Sequence, residues 1–391
     1  MNPLAAADRY AHLARSYLAR SSVSYLILYV TSRCNLRCNM CFYADSLNAP
    51  SGDGLTLAEI EKVSLSLPRL MQLTLTGGEP FLRRDLPQII QTFYRHSGAR
   101  SFTIPTNGAY SNDTRRTLIE VLESCPAATV KIGLSLDGPR DLHNEIRGSK
   151  HSYDQVCETH AMLRELQARY SNLILTIAGV ISSFNVARAR ELVDLFLERF
   201  PADDHTLQLT RGIPKKSAAK DVAAADFEAC VAYLDARRTI RPRLTPTGAM
   251  ARKLTTRTRR VVSHTASSQD FQVPCVAGTR LAVLYDTGVL APCEILETME
   301  VPPAVRSRYH DFSYGNVRDF GCDVQRAVSS PRGREIAAYI RDTQCRCTFE
   351  CAIVASIFYE PSELAKTLAT PLATRPSRAP ATAAMPREKL E

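Results

Sequence analysis

Between Ser24 and Gly212 the chain alternates short apolar runs with longer amphipathic stretches, and this alternation constrains the fold more than any other feature. The apolar runs are Tyr25–Val30, Leu73–Thr76, Phe102–Pro105, Val130–Leu136, Leu173–Ile181 and Leu207–Leu209, short enough for strands buried on both faces. Helical stretches lie between them near Leu57–Leu67, Leu86–His96, Asp113–Glu123, Tyr153–Arg169 and Val186–Phe200. Strands separated by helices pair in parallel, because each helix supplies the crossover that a parallel pair needs. Right-handed crossovers curl such a sheet. The predicted class is therefore α/β, a partial (β/α)6 barrel of parallel strands. In folds of this kind the chemistry sits in the loops at the C-terminal strand ends.

The unusual motifs fall in those loops. Cys34-Asn-Leu-Arg-Cys38-Asn-Met-Cys41 follows the first strand, Gly77-Gly78-Glu79-Pro80 the second, Thr106-Asn107-Gly108 the third, and Asp137-Gly138 the fourth. Three thiolates on one compact loop can hold three irons of a cubane and leave the fourth iron without a protein ligand. A structural zinc is the alternative for such a triplet, although zinc sites usually use C-x2-C pairs and four ligands. The chain has twelve cysteines but no signal peptide and no apolar run of membrane-spanning length. Thiolates used for metal in a reduced, cytoplasmic compartment are the expectation.

Taken in strand order, these motifs resemble the radical S-adenosylmethionine superfamily. The resemblance implies a [4Fe–4S] cluster on Cys34, Cys38 and Cys41, with S-adenosylmethionine chelating the open iron. It also implies reductive cleavage to a 5′-deoxyadenosyl radical and a reductant such as flavodoxin or ferredoxin. Gly77 and Gly78 would let backbone approach the ligand, and Glu79 would pair with the methionine ammonium. Asn107 and Ser135 would meet the ribose hydroxyls, with Asp137 in the same segment. Arg147, in the His143–Gly148 stretch, would meet the methionine carboxylate. Met40 and backbone around Val180 would edge the adenine.

A second cysteine set follows. Cys275, Gly288 and Cys293 are similar to the opening of the auxiliary-cluster domains called SPASM and twitch, with Tyr285–Gly288 as a hairpin turn that brings the two thiols together. A closed [4Fe–4S] site needs four thiolates. The resemblance assigns the remaining two to Cys347 and Cys351, whose x3 spacing matches the end of the SPASM pattern, with Cys345 as the alternative. The full pattern requires a second auxiliary cluster that these spacings do not provide, so one cluster in a small α+β domain is expected; a structural zinc on the same ligands stays open.

The expected organisation is an N-terminal helix at 1–23, the barrel at 24–214, a basic helical linker at 215–272, the Cys-rich domain at 273–360 and a disordered tail at 366–391. The net charge is +9, and Arg241, Arg243, Arg252, Lys253, Arg257, Arg259 and Arg260 make the linker the most basic part. Cys125, Cys157 and Cys230 are expected to be apolar cysteines in or beside helices. Cys322 is a candidate hydrogen donor to a substrate radical. The predicted activity is oxidation or epimerisation of a small biosynthetic intermediate, with the basic segment suiting a sugar- or phosphate-bearing one. A peptide-modifying maturase is the alternative, disfavoured by the missing second auxiliary cluster and the short segment before the first strand. A non-enzymatic iron–sulfur or zinc protein is the alternative of another class. A nucleic-acid partner is not expected, since no basic stripe is interleaved with aromatics. Membrane-surface contact through the N-terminal helix is weakly signalled.

Overall fold

The computed structural model describes residues 11–12, 14–18, 22–49, 54–237, 246–268, 270–299 and 311–370. The six expected strands are all present: β1 (Tyr25–Thr31), β2 (Gln72–Gly77), β3 (Ser101–Thr106), β4 (Thr129–Ser135), β5 (Leu173–Ile181) and β6 (Asp204–Leu209). They lie side by side in the order β6-β5-β4-β3-β2-β1, every pair parallel. Helices α1 (Leu57–Leu65), α2 (Leu86–His96), α3 (Ser111–Ser124), α4 (Arg140–Arg147), α5 (Ser152–Arg169) and α6 (Ala189–Arg199) make the crossovers. α1 starts on a reciprocal cap, in which the Thr56 hydroxyl accepts from the Glu59 N–H and Glu59 accepts from the Thr56 N–H. Leu26, Ile27, Leu28 and Tyr29 of β1 are buried, as expected for a central strand covered on both sides.

The C-terminal region extends this sheet. β7 (Leu281–Leu284) pairs in parallel with β1, and β8 (Val289–Ala291) and β9 (Gly315–Asn316) follow antiparallel. The nine strands among the described residues form one sheet, and β6 and β9 are its edges. The hairpin turn at Tyr285–Gly288 is present, with Gly288 at φ +90°.

The segment read as a linker is packed structure. α7 (Ala224–Arg237) precedes α8 (Pro246–Ser268), which packs against α11 (Glu350–Tyr359) and α12 (Pro361–Ala369). α9 (Val324–Val328) and α10 (Pro331–Asp342) lie between β9 and α11. α12 continues to Ala369, so the tail expected from 366 begins as helix; residues 371–391 lie outside the described residues. Of the N-terminal helix only 11–12 and 14–18 are described; Tyr17 packs edge-on against Phe358, 5.4 Å between centroids, and Leu18 is exposed. No helix among the described residues is long and apolar enough to cross a membrane.

Candidate active site

Cys34, Cys38 and Cys41 lie in the irregular loop after β1, where the chain has left the sheet. Burial pushes all three thiols up, Cys41 to about 11, and the charges of Cys34 and Cys38 both reach Cys41. Donors are aimed at the sulfurs: Leu36 N–H at Cys34 Sγ (3.4 Å), Asn107 Nδ2 at Cys34 Sγ (4.0 Å) and Arg147 Nη1 at Cys38 Sγ (3.8 Å). Three half-buried cysteines with N–H donors and one guanidinium at their sulfurs fit an iron–sulfur cluster, whose thiolates are anionic ligands tuned by such donors. Among the described residues no three His, Cys, Asp or Glu are arranged to hold a single metal ion.

The glycine loop after β2 also has a structural role. A Cβ at Gly77 would lie 2.2 Å from Thr31 O, and one at Gly78 would lie 2.1 Å from Arg33 O. Their missing Cβ atoms thus admit backbone at the end of β1 and the start of the cysteine loop. Gly78 N–H donates to Thr31 O and Glu79 N–H to Arg33 O, both at 2.8 Å, which fastens the two loops together.

Glu79 is buried and engaged by three donors: Thr106 Oγ1 (2.9 Å), Asn107 N–H (2.8 Å) and Phe81 N–H (3.3 Å). Burial outweighs these bonds and raises it to about 7. It latches the β2 loop to the end of β3. Asn107 in turn donates to Asn35 Oδ1 (2.9 Å), beside Cys34. Ser135 ends β4, paired with Ala178 of β5.

Asp137 is fully buried and organises the next loop. Its Oδ2 accepts from Arg147 Nε (2.6 Å), its Oδ1 from Val180 N–H (2.9 Å), and its carbonyl from Asn185 Nδ2 (2.9 Å). Its own N–H donates to His143 Nδ1 (3.1 Å), and burial lowers that imidazole to about 4. Asp137 thus positions Arg147 and has no exposed surface with which to meet a ribose. The Asn185 contribution escaped the sequence reading, because a lone asparagine four residues beyond a strand carries no motif. Met40 packs with Leu142, Ile146 and Ala219, and Val180 and Phe184 join that patch beside Cys38. The two residues expected at the adenine therefore share one apolar wall.

The second cysteine set also converges, with one change. Cys275 and Cys345 share a hydrogen bond, and Cys347 lies within reach of the charges of Cys275 and Cys293. Burial pushes Cys293 up to about 12. Cys345, held above as the alternative, thus stands inside the group. Cys351, preferred above, is in the first turn of α11, where its principal neighbours are Arg211, Glu294, Tyr25 and Glu350. Its thiol shares a hydrogen bond with Tyr25 of β1. Cys322 is buried beside Glu59, Lys62 and Arg318, none of which belongs to the cysteine loops, so the site does not include it. Cys125 and Cys230 are buried, as expected, and Cys157 is half-buried.

Arg211, just past β6, joins the two regions. It bonds Glu294 through Nη2 and Glu350 through Nη1, each at 3.1 Å. Its guanidinium lies over the rings of Phe42 (5.2 Å) and Phe349 (4.7 Å), which flank Cys41 and Glu350 in sequence. Tyr29 donates to Glu294 Oε1 (2.9 Å), and Tyr43 to Asp286 Oδ1 (3.1 Å). The rings of Tyr43 and Tyr285 both pack on Tyr29 at 4.7 Å. Three basic side chains of the segment read as a linker are committed elsewhere. Arg257 is paired with Glu363 (2.9 Å), Arg259 with Asp235 (2.7 Å), and Lys253 bonds the Leu368 carbonyl. Arg241 and Arg243 lie outside the described residues.

Comparison with known proteins fits this geometry. The family model described as "Radical SAM superfamily" matches residues 28–193. A GTP 3′,8-cyclase of Bradyrhizobium diazoefficiens is 34% identical over 142 residues, 35% of this chain and 40% of that protein. The GTP 3′,8-cyclase of Nitrobacter winogradskyi is 40% identical over 93 residues, 22% of this chain and 27% of its own. The chain thus spans well under two thirds of these curated relatives. Among solved structures, SuiB of Streptococcus suis bound to S-adenosylmethionine superposes with a TM-score of 0.57 at 16% identity, over 84% of this chain and 72% of SuiB. Native anSMEcpe with bound AdoMet gives 0.55 at 16% identity, over 88% of this chain and 96% of that one. These likenesses of fold cover a larger share of the chain than the family model does. The cysteine loop, its glycine latch and the family match agree: residues 28–193 of this chain are a radical SAM superfamily domain.

Proposed function

We propose that the chain is a radical S-adenosylmethionine enzyme that takes a hydrogen atom from a carbon of a small-molecule substrate and leaves the product oxidised. The observation that carries this reading is the convergence of Cys34, Cys38 and Cys41 with Arg147 and Glu79 at neighbouring strand ends. When bound there, a [4Fe–4S] cluster supplies the electron that cleaves S-adenosylmethionine to methionine and a 5′-deoxyadenosyl radical. The three thiolates hold it. Arg147, fixed by Asp137, keeps positive charge beside Cys38 and offers the rest of its guanidinium to the methionine carboxylate. Asn107 and Ser135 are the groups for the ribose, and the Met40–Val180 wall is the surface for adenine.

Cys275, Cys293, Cys345 and Cys347 are assigned to a second [4Fe–4S] cluster, with Cys351 next to them as the alternative fourth ligand. Bound there, such a cluster would accept the electron that a substrate radical gives up. Oxidation is preferred to epimerisation because Cys322 lies outside the site. Between the two regions Asp286 and Glu294 accept from Tyr43 and Tyr29, and Arg211 pairs with Glu294 and Glu350. These carboxylates could accept from hydroxyl or amine groups of a substrate, and Arg257 and Arg259 are committed to internal ion pairs. The GTP 3′,8-cyclase relatives supply the competing substrate to test. Replacing Cys275 and Cys293 by Ala should spare 5′-deoxyadenosine formation and stop substrate turnover. Consumption of GTP in step with 5′-deoxyadenosine would overturn the substrate assignment.

A further inference from the structure

Tyr314 sits just before β9, its N–H bonded to Leu290 O (2.8 Å) and its side chain 4% exposed. Its hydroxyl is buried and has no hydrogen-bond partner among the described residues. Buried hydroxyls are almost always satisfied, so an orphan in a well-packed sheet points to a missing acceptor. The surroundings narrow that acceptor. A Cβ built on Gly278, at φ +80°, would lie 3.1 Å from Tyr314 Oη, 3.4 Å from Ile340 Cδ1 and 3.6 Å from Pro292 Cβ. Gly278 follows Cys275 by three residues and Pro292 precedes Cys293, so the hydroxyl lies in the crevice between the two cysteine segments. The charges of Cys293 and Cys275 reach the phenol, which together with burial is pushed well up and so stays a donor.

We propose that the Tyr314 hydroxyl is a hydrogen-bond donor to the sulfur of the iron–sulfur cluster held by the C-terminal thiols, and that it sets the potential of that cluster. This rests on the reading of Cys275, Cys293, Cys345 and Cys347 as ligands. Reduction adds negative charge to a cluster, and a donor at sulfur stabilises the reduced form, so Tyr314 raises the potential. An acceptor of substrate electrons needs such a shift, and Tyr314 is a positioning and tuning residue that never touches substrate.

The test uses the full chain carrying Cys34→Ala, Cys38→Ala and Cys41→Ala, so that only the C-terminal cluster remains, with and without Tyr314→Phe. Both proteins are reconstituted anaerobically, counted for iron and titrated redox by EPR. The expected result is equal iron and a reduction equilibrium at least tenfold less favourable in the Phe variant, 59 mV for a one-electron couple. Fe–S stretching bands should shift between H2O and D2O with Tyr314 and lose that shift with Phe. Equal iron with unchanged potential and unchanged isotope shift would overturn the role of Tyr314. If the triple-Ala parent binds no iron, the ligand reading beneath it falls instead.

Discussion

Asp137→Asn is the most informative single substitution in the first cysteine region. Asn has the same shape and can still accept from the Val180 N–H through Oδ1. What changes is the partner of Arg147 Nε, which meets an NH2 group where the carboxylate accepted at 2.6 Å. Asp137 has a fully buried side chain and Arg147 is 10% exposed, so water does not replace the lost partner. Removing one member of a buried ion pair costs about 3–5 kcal/mol, a large part of the ~5–15 kcal/mol that holds a domain folded. Urea unfolding of the anaerobic, metal-free chain measures this directly. The Asp137→Asn/Arg147→Met double variant should recover most of the loss, because neither partner is then left charged and unpaired. A loss below about 1 kcal/mol for Asp137→Asn would refute the reasoning, since it would mean that the pair is solvated or dispensable.

Three further outcomes follow from the same geometry. Gly78→Ala places a methyl 2.1 Å from Arg33 O, so the cysteine and glycine loops must separate; melting should show a loss of at least ~1–3 kcal/mol and iron uptake at Cys34–Cys41 should fall. Glu79 is lifted from 4.5 to about 7 by burial, so folding takes up a proton there. Its acid form contributes fully below about pH 4.5, and that stability, roughly 3 kcal/mol at most, is lost as the pH rises through about 7; Glu79→Gln should flatten that part of the metal-free stability curve. Arg257→Glu sets a like charge against Glu363, which is 7% exposed, so it should lower the melting temperature by several degrees while leaving substrate KM unchanged; a raised KM with normal stability would return the basic segment to the substrate site.

Much of this was legible in the chain because two periodicities coincide. The apolar runs give the strands, and the glycine, asparagine and cysteine motifs mark their C-terminal ends, so the architecture and the first cysteine region follow together. Side-chain direction was less legible. Gly77 and Gly78 read as a ligand cradle, yet their missing Cβ atoms admit carbonyls of the adjoining loop. Asp137 reads as a ribose contact, yet its oxygens are committed to Arg147 and Val180. Cys351 and Cys345 could not be ranked by spacing, because α11 starts between Cys347 and Cys351 and turns the latter toward Tyr25 and Arg211. The packing of α8 was hidden, because its partners lie far along the chain, such as Glu363 for Arg257. The addition of β7 beside β1 is a long-range pairing with no local signal.

The central claim is that Cys34, Cys38 and Cys41 hold the cluster at which S-adenosylmethionine is cleaved. Its most direct test is 5′-deoxyadenosine formation by the anaerobically reconstituted full chain with dithionite and S-adenosylmethionine, beside the Cys34→Ala/Cys38→Ala/Cys41→Ala variant. The account predicts about eight irons per chain and 5′-deoxyadenosine from the unmodified protein, then about four irons and no 5′-deoxyadenosine from the variant, by the count of two four-iron clusters. A chain that binds only zinc, or a variant that still forms 5′-deoxyadenosine, would contradict it.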